Sequence, residues 1–291
     1  MNIQWFPGHM AKSFRDIENN LKKIDLFLCV LDARAPYSCI NHELERKIKD
    51  KPIVYLINKV DLADKKIVDQ WIKYFESRGK VVSVVDALKQ SAKQVVISCI
   101  NKALEKKFEK QKEKNIVLKT RVAIVGVPNT GKSTLLNTLA GSYLSKTGNK
   151  AGVTVASSWV KLKNNIELMD NAGTLYPKFL NDRIAENLAF VGSVSTNALD
   201  ETELAFCLID RLKKDFRGQF FEKYAIKDIE IEDEQTTETE AIFEQIARKK
   251  GCIMRGNMVD YERTSRAIVD DFQSAKIGKF CLETPKEDYV K

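Results

Sequence analysis

Asn58-Lys59-Val60-Asp61 closes the apolar run Pro52–Lys59, and Gly126-Val127-Pro128-Asn129-Thr130-Gly131-Lys132-Ser133 follows a second such run, Arg121–Val127. The octapeptide fits G-x-x-x-x-G-K-[ST], a loop whose backbone N–H groups surround nucleotide phosphates. Short apolar runs with helical stretches between them predict strands buried on both faces. Ile24–Asp32, Pro52–Lys59, Lys80–Asp86, Arg121–Val127, Ser157–Lys163 and Ile166–Asp170 are read as strands. Ile40–Asp50, Lys65–Arg78, a long charged stretch Leu88–Lys114, and Lys132–Leu139 are read as helices between them. This alternation predicts an α/β fold with a doubly wound, mostly parallel sheet that binds its ligand at the carboxyl ends of the strands.

N-x-x-D in the form N-K-x-D resembles the guanine-reading element of GTPases. In an ordinary GTPase it follows the phosphate loop; here it comes first, as in circularly permuted GTPases. Asp61 offers two carboxylate oxygens to the N1–H and amino donors of guanine, a pair that adenine lacks. Asn58 is expected to brace the loop, and the Lys59 stem to lie along the base. Asp86-Ala87, ending the third strand, stands where GTPases present a backbone N–H to the guanine carbonyl; a helix N-cap is the other reading of Asp86. Asn129, Thr130, Gly131, Lys132, Ser133 and Thr134 complete the phosphate loop. Lys132 is assigned to the β- and γ-phosphates and the Ser133 hydroxyl to Mg²⁺.

Asp170-Asn171-Ala172-Gly173 fits D-x-x-G. By analogy with GTPases, Asp170 holds Mg²⁺ through water and the Gly173 N–H meets the γ-phosphate. Thr154, between the two motifs, is the candidate switch threonine of the Mg²⁺ shell, with an ordinary loop residue as the alternative. Asn129 matches a position that in several GTPases helps to hold K⁺.

From about Tyr176 the strand pattern stops. Lys178–Val191, Glu203–Lys214, Thr236–Lys250 and Asp260–Ser274 are read as amphipathic helices, so residues 1–176 are expected to form the nucleotide domain and 177–291 a helical one. The chain has 291 residues, 44% hydrophobic and 30% charged, and no apolar run nears the ~20 residues that span a bilayer. Its start lacks a basic and apolar signal peptide, so the expected location is cytoplasmic, with no membrane partner; the chain is separately expected to be a monomer. Six cysteines stand singly without a C-x-x-C pair, which argues against a zinc site or a disulfide framework.

With these segments placed, the chain resembles the bacterial ribosome biogenesis GTPase A family, the YlqF-like circularly permuted GTPases. Further matches are Trp5-Phe6-Pro7-Gly8-His9-Met10, Asp32-Ala33-Arg34-Ala35-Pro36, and Gly251-Cys252 with Asp271-Phe272 through Lys276-Ile277-Gly278. The resemblance implies a GTPase that binds a late precursor of the large ribosomal subunit, through rRNA and ribosomal proteins, and hydrolyses GTP in response to it. Related small-subunit GTPases carry an added β-barrel or a Cys-rich zinc module, and this sequence shows neither. Departures from the family pattern are D-N-A-G for D-T-P-G, Ala151-Gly152-Val153-Thr154 for P-G-V-T, and Thr174 after D-x-x-G.

Ordinary GTPases place a water-orienting Gln where Thr174 stands, and Thr174 is too short for that task. The resemblance points instead to His9 as the catalytic group, with a packing role for the N-terminal segment as the alternative. Net charge is +8, and basic clusters occur at 102–121, at Lys213, Lys214 and Arg217, and at Arg248, Lys249, Lys250 and Arg255. Lysines contact phosphate without reading sequence, which suits RNA recognised by shape. A solvated helix face is an equal reading of the first cluster. Two other functions stay open: a nucleotide-gated RNA-binding module with negligible hydrolysis of its own, and a P-loop kinase, which Asp61 disfavours.

Overall fold

The computed structural model describes residues 6–141, 158–162, 165–170, 173–175, 178–195, 199–227 and 236–286. A sheet of six strands stands in the order β3-β2-β1-β4-β6-β5, with β1 Leu26–Asp32, β2 Ile53–Asn58, β3 Val81–Val84, β4 Thr120–Val125, β5 Ser158–Lys161 and β6 Ile166–Asp170. All pairs are parallel except β5 with β6. All seven residues of β1 are buried, as a central strand covered on both faces requires. The chain winds from β1 out to β3, returns to β4 beside β1, and then winds the other way. That reversal opens a crevice between the carboxyl ends of β1 and β4, where Asp32 ends one strand and the phosphate loop follows the other.

Helices cover both faces. Leu28, Val30, Leu56, Ile124 and Leu168 pack with Val96 and Ile100 of α4 (Ala92–Ala103) and with Leu135 and Leu139 of α6 (Lys132–Ala140). On α3 (Lys65–Ser77), Phe75 stacks on Tyr55 of β2 with ring centroids 4.8 Å apart, and Trp71 is fully buried. Asp64 caps α3 by accepting from the Lys66 N–H at 2.7 Å, and Asn41 caps α2 (His42–Lys47) by accepting from Leu44 at 3.0 Å.

The long helix expected over Leu88–Lys114 is two: α4, and α5 from Glu105 to Glu113. Leu104 leaves helical dihedrals (φ −113°, ψ 16°) and turns into the core at 5% exposure, so burial of one leucine outweighs helix continuity. Two helices lay outside the sequence reading: α1, Gly8–Asn20, which buries Met10, Phe14 and Ile17, and α9, Arg217–Tyr224, which buries Phe220 and Tyr224.

Two compact units form, and their limits differ from a division after Tyr176. The described residues up to Ser195, together with those from Cys281 onward, make one; those between, to Phe280, make the other. Helix α7 (Asp182–Phe190) and the final segment thus belong with the sheet. In the helical unit α8 (Glu201–Asp215), α10 (Glu238–Lys250) and α11 (Tyr261–Gln273) pack through Leu208, Leu212, Phe243, Ile246, Ile268 and Phe272. Thr237 and Glu240 form a reciprocal capping box on α10. Among the described residues all six cysteines are free, and no helix is long and apolar enough to cross a membrane.

Candidate functional site

Asn58 ends β2 at 4% exposure and bonds to two other loops. Its Oδ1 accepts from the Ala87 N–H at 3.0 Å, and its Nδ2 donates to the Thr130 carbonyl at 2.8 Å. One side chain thereby joins the N-K-x-D segment, the Asp86-Ala87 turn and the phosphate loop. From α6, the Thr138 hydroxyl donates to the Ala87 carbonyl at 2.6 Å and closes the same corner. Gly131 has φ 97°, and a Cβ there would lie 2.3 Å from Asn58 Nδ2, so backbone and space both demand glycine.

Lys59 takes a left-handed conformation (φ 61°) that turns the chain out of β2. Its Nζ donates to the Asn129 carbonyl at 2.5 Å and lies 3.2 Å from Asp32 Oδ2. Asp32, 1% exposed, also accepts from the N–H, Nε and Nη2 of Arg34 at 3.0, 2.9 and 2.8 Å. Burial alone would raise this carboxyl; the Arg34 and Lys59 cations outweigh it and hold Asp32 well below the usual carboxylate range. Val60 opens a short 3₁₀ turn, which leaves Asp61 exposed.

Of the Asp86-Ala87 turn, the Ala87 N–H is the one donated to Asn58. Asp86 accepts from the Leu88 N–H at 3.1 Å and pairs with Lys89 at 3.0 Å. Since α4 begins at Ala92, Asp86 caps this turn and not the helix.

The phosphate loop is held from within. The Thr130 hydroxyl donates to the Val127 carbonyl at 3.1 Å, and Lys132 Nζ to the same oxygen at 2.6 Å. Lys132 is 5% exposed; burial pushes its pKa down to about 8, with the Asp170 carboxylate acting the other way. A buried ammonium under-compensated by its own protein fits a site built for phosphate. Ser133 and Thr134 follow, half-buried, at the start of α6, whose N-terminus favours anions. Asp170, 3% exposed, ends β6 next to β4, so a carboxylate and the Ser133 hydroxyl are available on the side where Mg²⁺ is expected. Among the described residues no cluster of three acidic, His or Cys side chains stands ready for a metal. A hydroxyl, a carboxylate, waters and phosphate oxygens suit Mg²⁺ without one.

Gly173 lies against this loop: a Cβ there would sit 2.7 Å from Pro128 Cα. The Thr174 N–H donates to the Gly126 carbonyl at 3.1 Å, and its side chain is buried at 1% exposure. Ser193, which the sequence reading passed over, donates from Oγ to the Pro128 carbonyl at 2.8 Å. No sequence pattern marks a serine after a helix as a phosphate-loop brace. His9 is half-buried in the first turn of α1. Thr154, the rest of Ala151–Val153, Asn171 and Ala172 lie outside the described residues.

Several residues of the basic clusters have structural partners. Lys107 pairs with Asp25 at 2.7 Å, and Lys119 and Arg121 both bind Glu167, at 2.9 and 3.0 Å. Lys249 donates to the Tyr224 and Ala225 carbonyls at the end of α9, and Lys250 pairs with the buried Asp271. Lys214 and Arg255 are exposed.

A family model described as a 50S ribosome-binding GTPase matches residues 121–250. The chain is 36% identical over 289 residues to the ribosome biogenesis GTPase A of Priestia megaterium, covering 99% of this chain and 98% of that protein. It is 30% identical over 285 residues to the ribosome biogenesis GTPase A of Thermotoga maritima, with 98% and 95% covered. Among solved structures it is similar to GDP-bound TM YlqF, with a TM-score of 0.65, 26% identity and 94% and 100% coverage. It is likewise similar to GNP-bound YlqF from T. maritima, with a TM-score of 0.63, 26% identity and 95% and 99% coverage.

Replacing Asn58 by Ala strands a buried N–H and a buried carbonyl, at about 1–3 kcal/mol of stability. Denaturant unfolding should show that loss, and titration should show at least tenfold weaker GDP binding. A variant with wild-type midpoint and affinity would contradict the joining role.

Proposed function

The chain belongs to the ribosome biogenesis GTPase A family, and from that premise we propose that it binds a late precursor of the large ribosomal subunit, promotes its assembly and hydrolyses GTP when the subunit stimulates it. The observation that carries this reading is the closure of base-reading and phosphate-binding segments into one pocket by Asn58. In that pocket the exposed Asp61 accepts from both guanine donors, and the Lys59 stem, fixed at its Nζ, lies along the ring. Lys132 turns from the Val127 carbonyl to the β- and γ-phosphates, and the N–H groups of 129–134 surround them. Ser133, Thr154 and, through water, Asp170 would hold Mg²⁺, and Asn129 with the phosphates would hold K⁺. When bound, these cations offset the charge carried by the phosphates. Gly173 donates its N–H to the γ-phosphate, and release of phosphate frees the segment after it.

Water attacks the γ-phosphorus in line with the β–γ bridging oxygen, and the products are GDP and phosphate. Thr174 is too short and too buried to orient that water. His9, in the first turn of α1, takes the role once the subunit is bound. The same buried Thr174 favours, as a second reading, an RNA-binding module gated by nucleotide with negligible hydrolysis. We place rRNA contact on the exposed Lys214 and Arg255. Lys249 and Lys250 are poor probes of it because they hold the helical unit together. A cytoplasmic monomer suits this role.

Asp61→Asn keeps the size of the side chain and turns one acceptor into a donor. GTP affinity should fall at least tenfold while xanthosine triphosphate gains; unchanged GTP affinity would remove Asp61 from the base site.

Turnover supplies a separate test. Without the subunit the rate should be on the order of 10⁻⁴–10⁻² s⁻¹ and should rise several-fold when K⁺ replaces Na⁺ at constant ionic strength. His9→Ala should keep GTP and subunit binding but lose most of the stimulated rate, as for a group acting only in the transition state. Equal rates in both salts would exclude K⁺, and full stimulation without the imidazole would exclude His9.

A further inference from the structure

Cys281–Glu283 returns to the sheet unit and ends in a buried carboxylate that belongs to none of the nucleotide motifs. Glu283 is 1% exposed. Its Oε1 accepts from the Tyr37 N–H and, at 3.0 Å, from the Ser38 N–H. Its Oε2 accepts from the Ser38 hydroxyl at 2.6 Å and from Asn187 Nδ2 of α7 at 3.2 Å. The main chain adds more: the Leu282 N–H donates to the Arg34 carbonyl at 2.7 Å, and Trp71 Nε1 donates to the Glu283 carbonyl at 3.3 Å. This segment fastens one stretch of chain, Arg34 to Ser38.

That stretch backs the base site. Arg34 gives Asp32 three hydrogen bonds, and Asp32 faces Lys59 Nζ at 3.2 Å. Lys59 in turn reaches the Asn129 carbonyl in the phosphate loop. A continuous polar path therefore runs from Glu283 through the Arg34 loop and Asp32 to the lysine expected along the guanine ring. The Arg34 backbone is held at both of its polar groups, the N–H by Asp32 and the carbonyl by the Leu282 N–H, while its guanidinium is aimed at Asp32.

From this geometry we infer that Glu283 is a positioning residue of the guanine-nucleotide site, setting Lys59 through the Arg34–Asp32 pair although it touches no nucleotide itself. The inference rests on the nucleotide-site reading above and extends it to a residue more than two hundred positions downstream of the motif. It also gives a reason for the last segment to return to the sheet: its carboxylate accepts from both the Tyr37 and the Ser38 N–H groups of the loop that backs the base site. Glutamine at 283 would set an amide N–H₂ against donors and break the arrangement on one side.

The test is a double-mutant cycle on the full chain, read as GDP affinity at low temperature with the fold checked by circular dichroism. Glu283→Gln should weaken GDP binding about five- to tenfold. In a Lys59→Ala background the same substitution should change affinity less than twofold, because nothing remains to be positioned. Ser38→Ala, which removes one bond to the carboxylate, should show the same pattern more weakly and serves if the glutamine variant does not fold. An equal loss in both backgrounds, or a lowered melting temperature with affinity unchanged, would overturn the inference and leave Glu283 as packing alone. Failure of the wild type to bind GDP would overturn the nucleotide-site reading itself.

Discussion

Two hydrogen bonds on one buried amide, accepted from Ala87 and donated to Thr130 by Asn58, hold together the three loops that carry the nucleotide motifs. The three loops they join leave three different strands and are far apart in sequence. Each loop turns away from its strand and leaves backbone polar groups to be satisfied by other segments, so none would hold its shape alone. The amide supplies an acceptor and a donor on opposite sides, which no other side chain of that size does as well. The glycine at 131 exists to let the amide approach, and the left-handed Lys59 exists to carry the chain past it.

Around that amide the site is built by enclosure more than by charge. Lys132 and Asp32 are both nearly inaccessible, yet their situations are opposite. Asp32 is overcompensated by two cations and remains ionised, which makes it a fixed strut. Lys132 is undercompensated and lowered, so a phosphate is its natural complement. The contrast separates a group that holds the site together from a group that awaits a ligand. Gly173 and Ser193 meet Pro128 from two further segments, so the phosphate loop is held from both.

The order of motifs along the chain has no bearing on this geometry. Parallel strands present their carboxyl ends to one side however they are connected, which is why an early N-K-x-D and a late phosphate loop still meet. For the same reason the strands, and the meeting of the N-K-x-D and phosphate-loop segments at their ends, were legible from apolar runs and motif spacing, with Asn58 bonded to the phosphate loop as expected of a loop brace. What escaped depended on tertiary contacts that carry no local pattern. The break at Leu104 needs knowledge of a core position that rewards leaving the helix. α9 has adjacent phenylalanines and a glycine, which blur its period. Lys249 and Lys250 look like a free basic patch until the carbonyls of α9 and the carboxylate of Asp271 are placed beside them. The return of Cys281–Glu283 is invisible because a lone glutamate after a helix has no signature, and it moved the end of the sheet unit far from the boundary that strand patterning suggested.

Under the proposed function this pocket becomes an efficient catalyst only when the large ribosomal subunit is bound. The most direct measurement is single-turnover GTP hydrolysis by the wild-type chain with purified large or small ribosomal subunits at matched concentration and salt. The large subunit should accelerate hydrolysis at least tenfold and the small one not at all. Equal rates with either subunit and with none would contradict the proposed function.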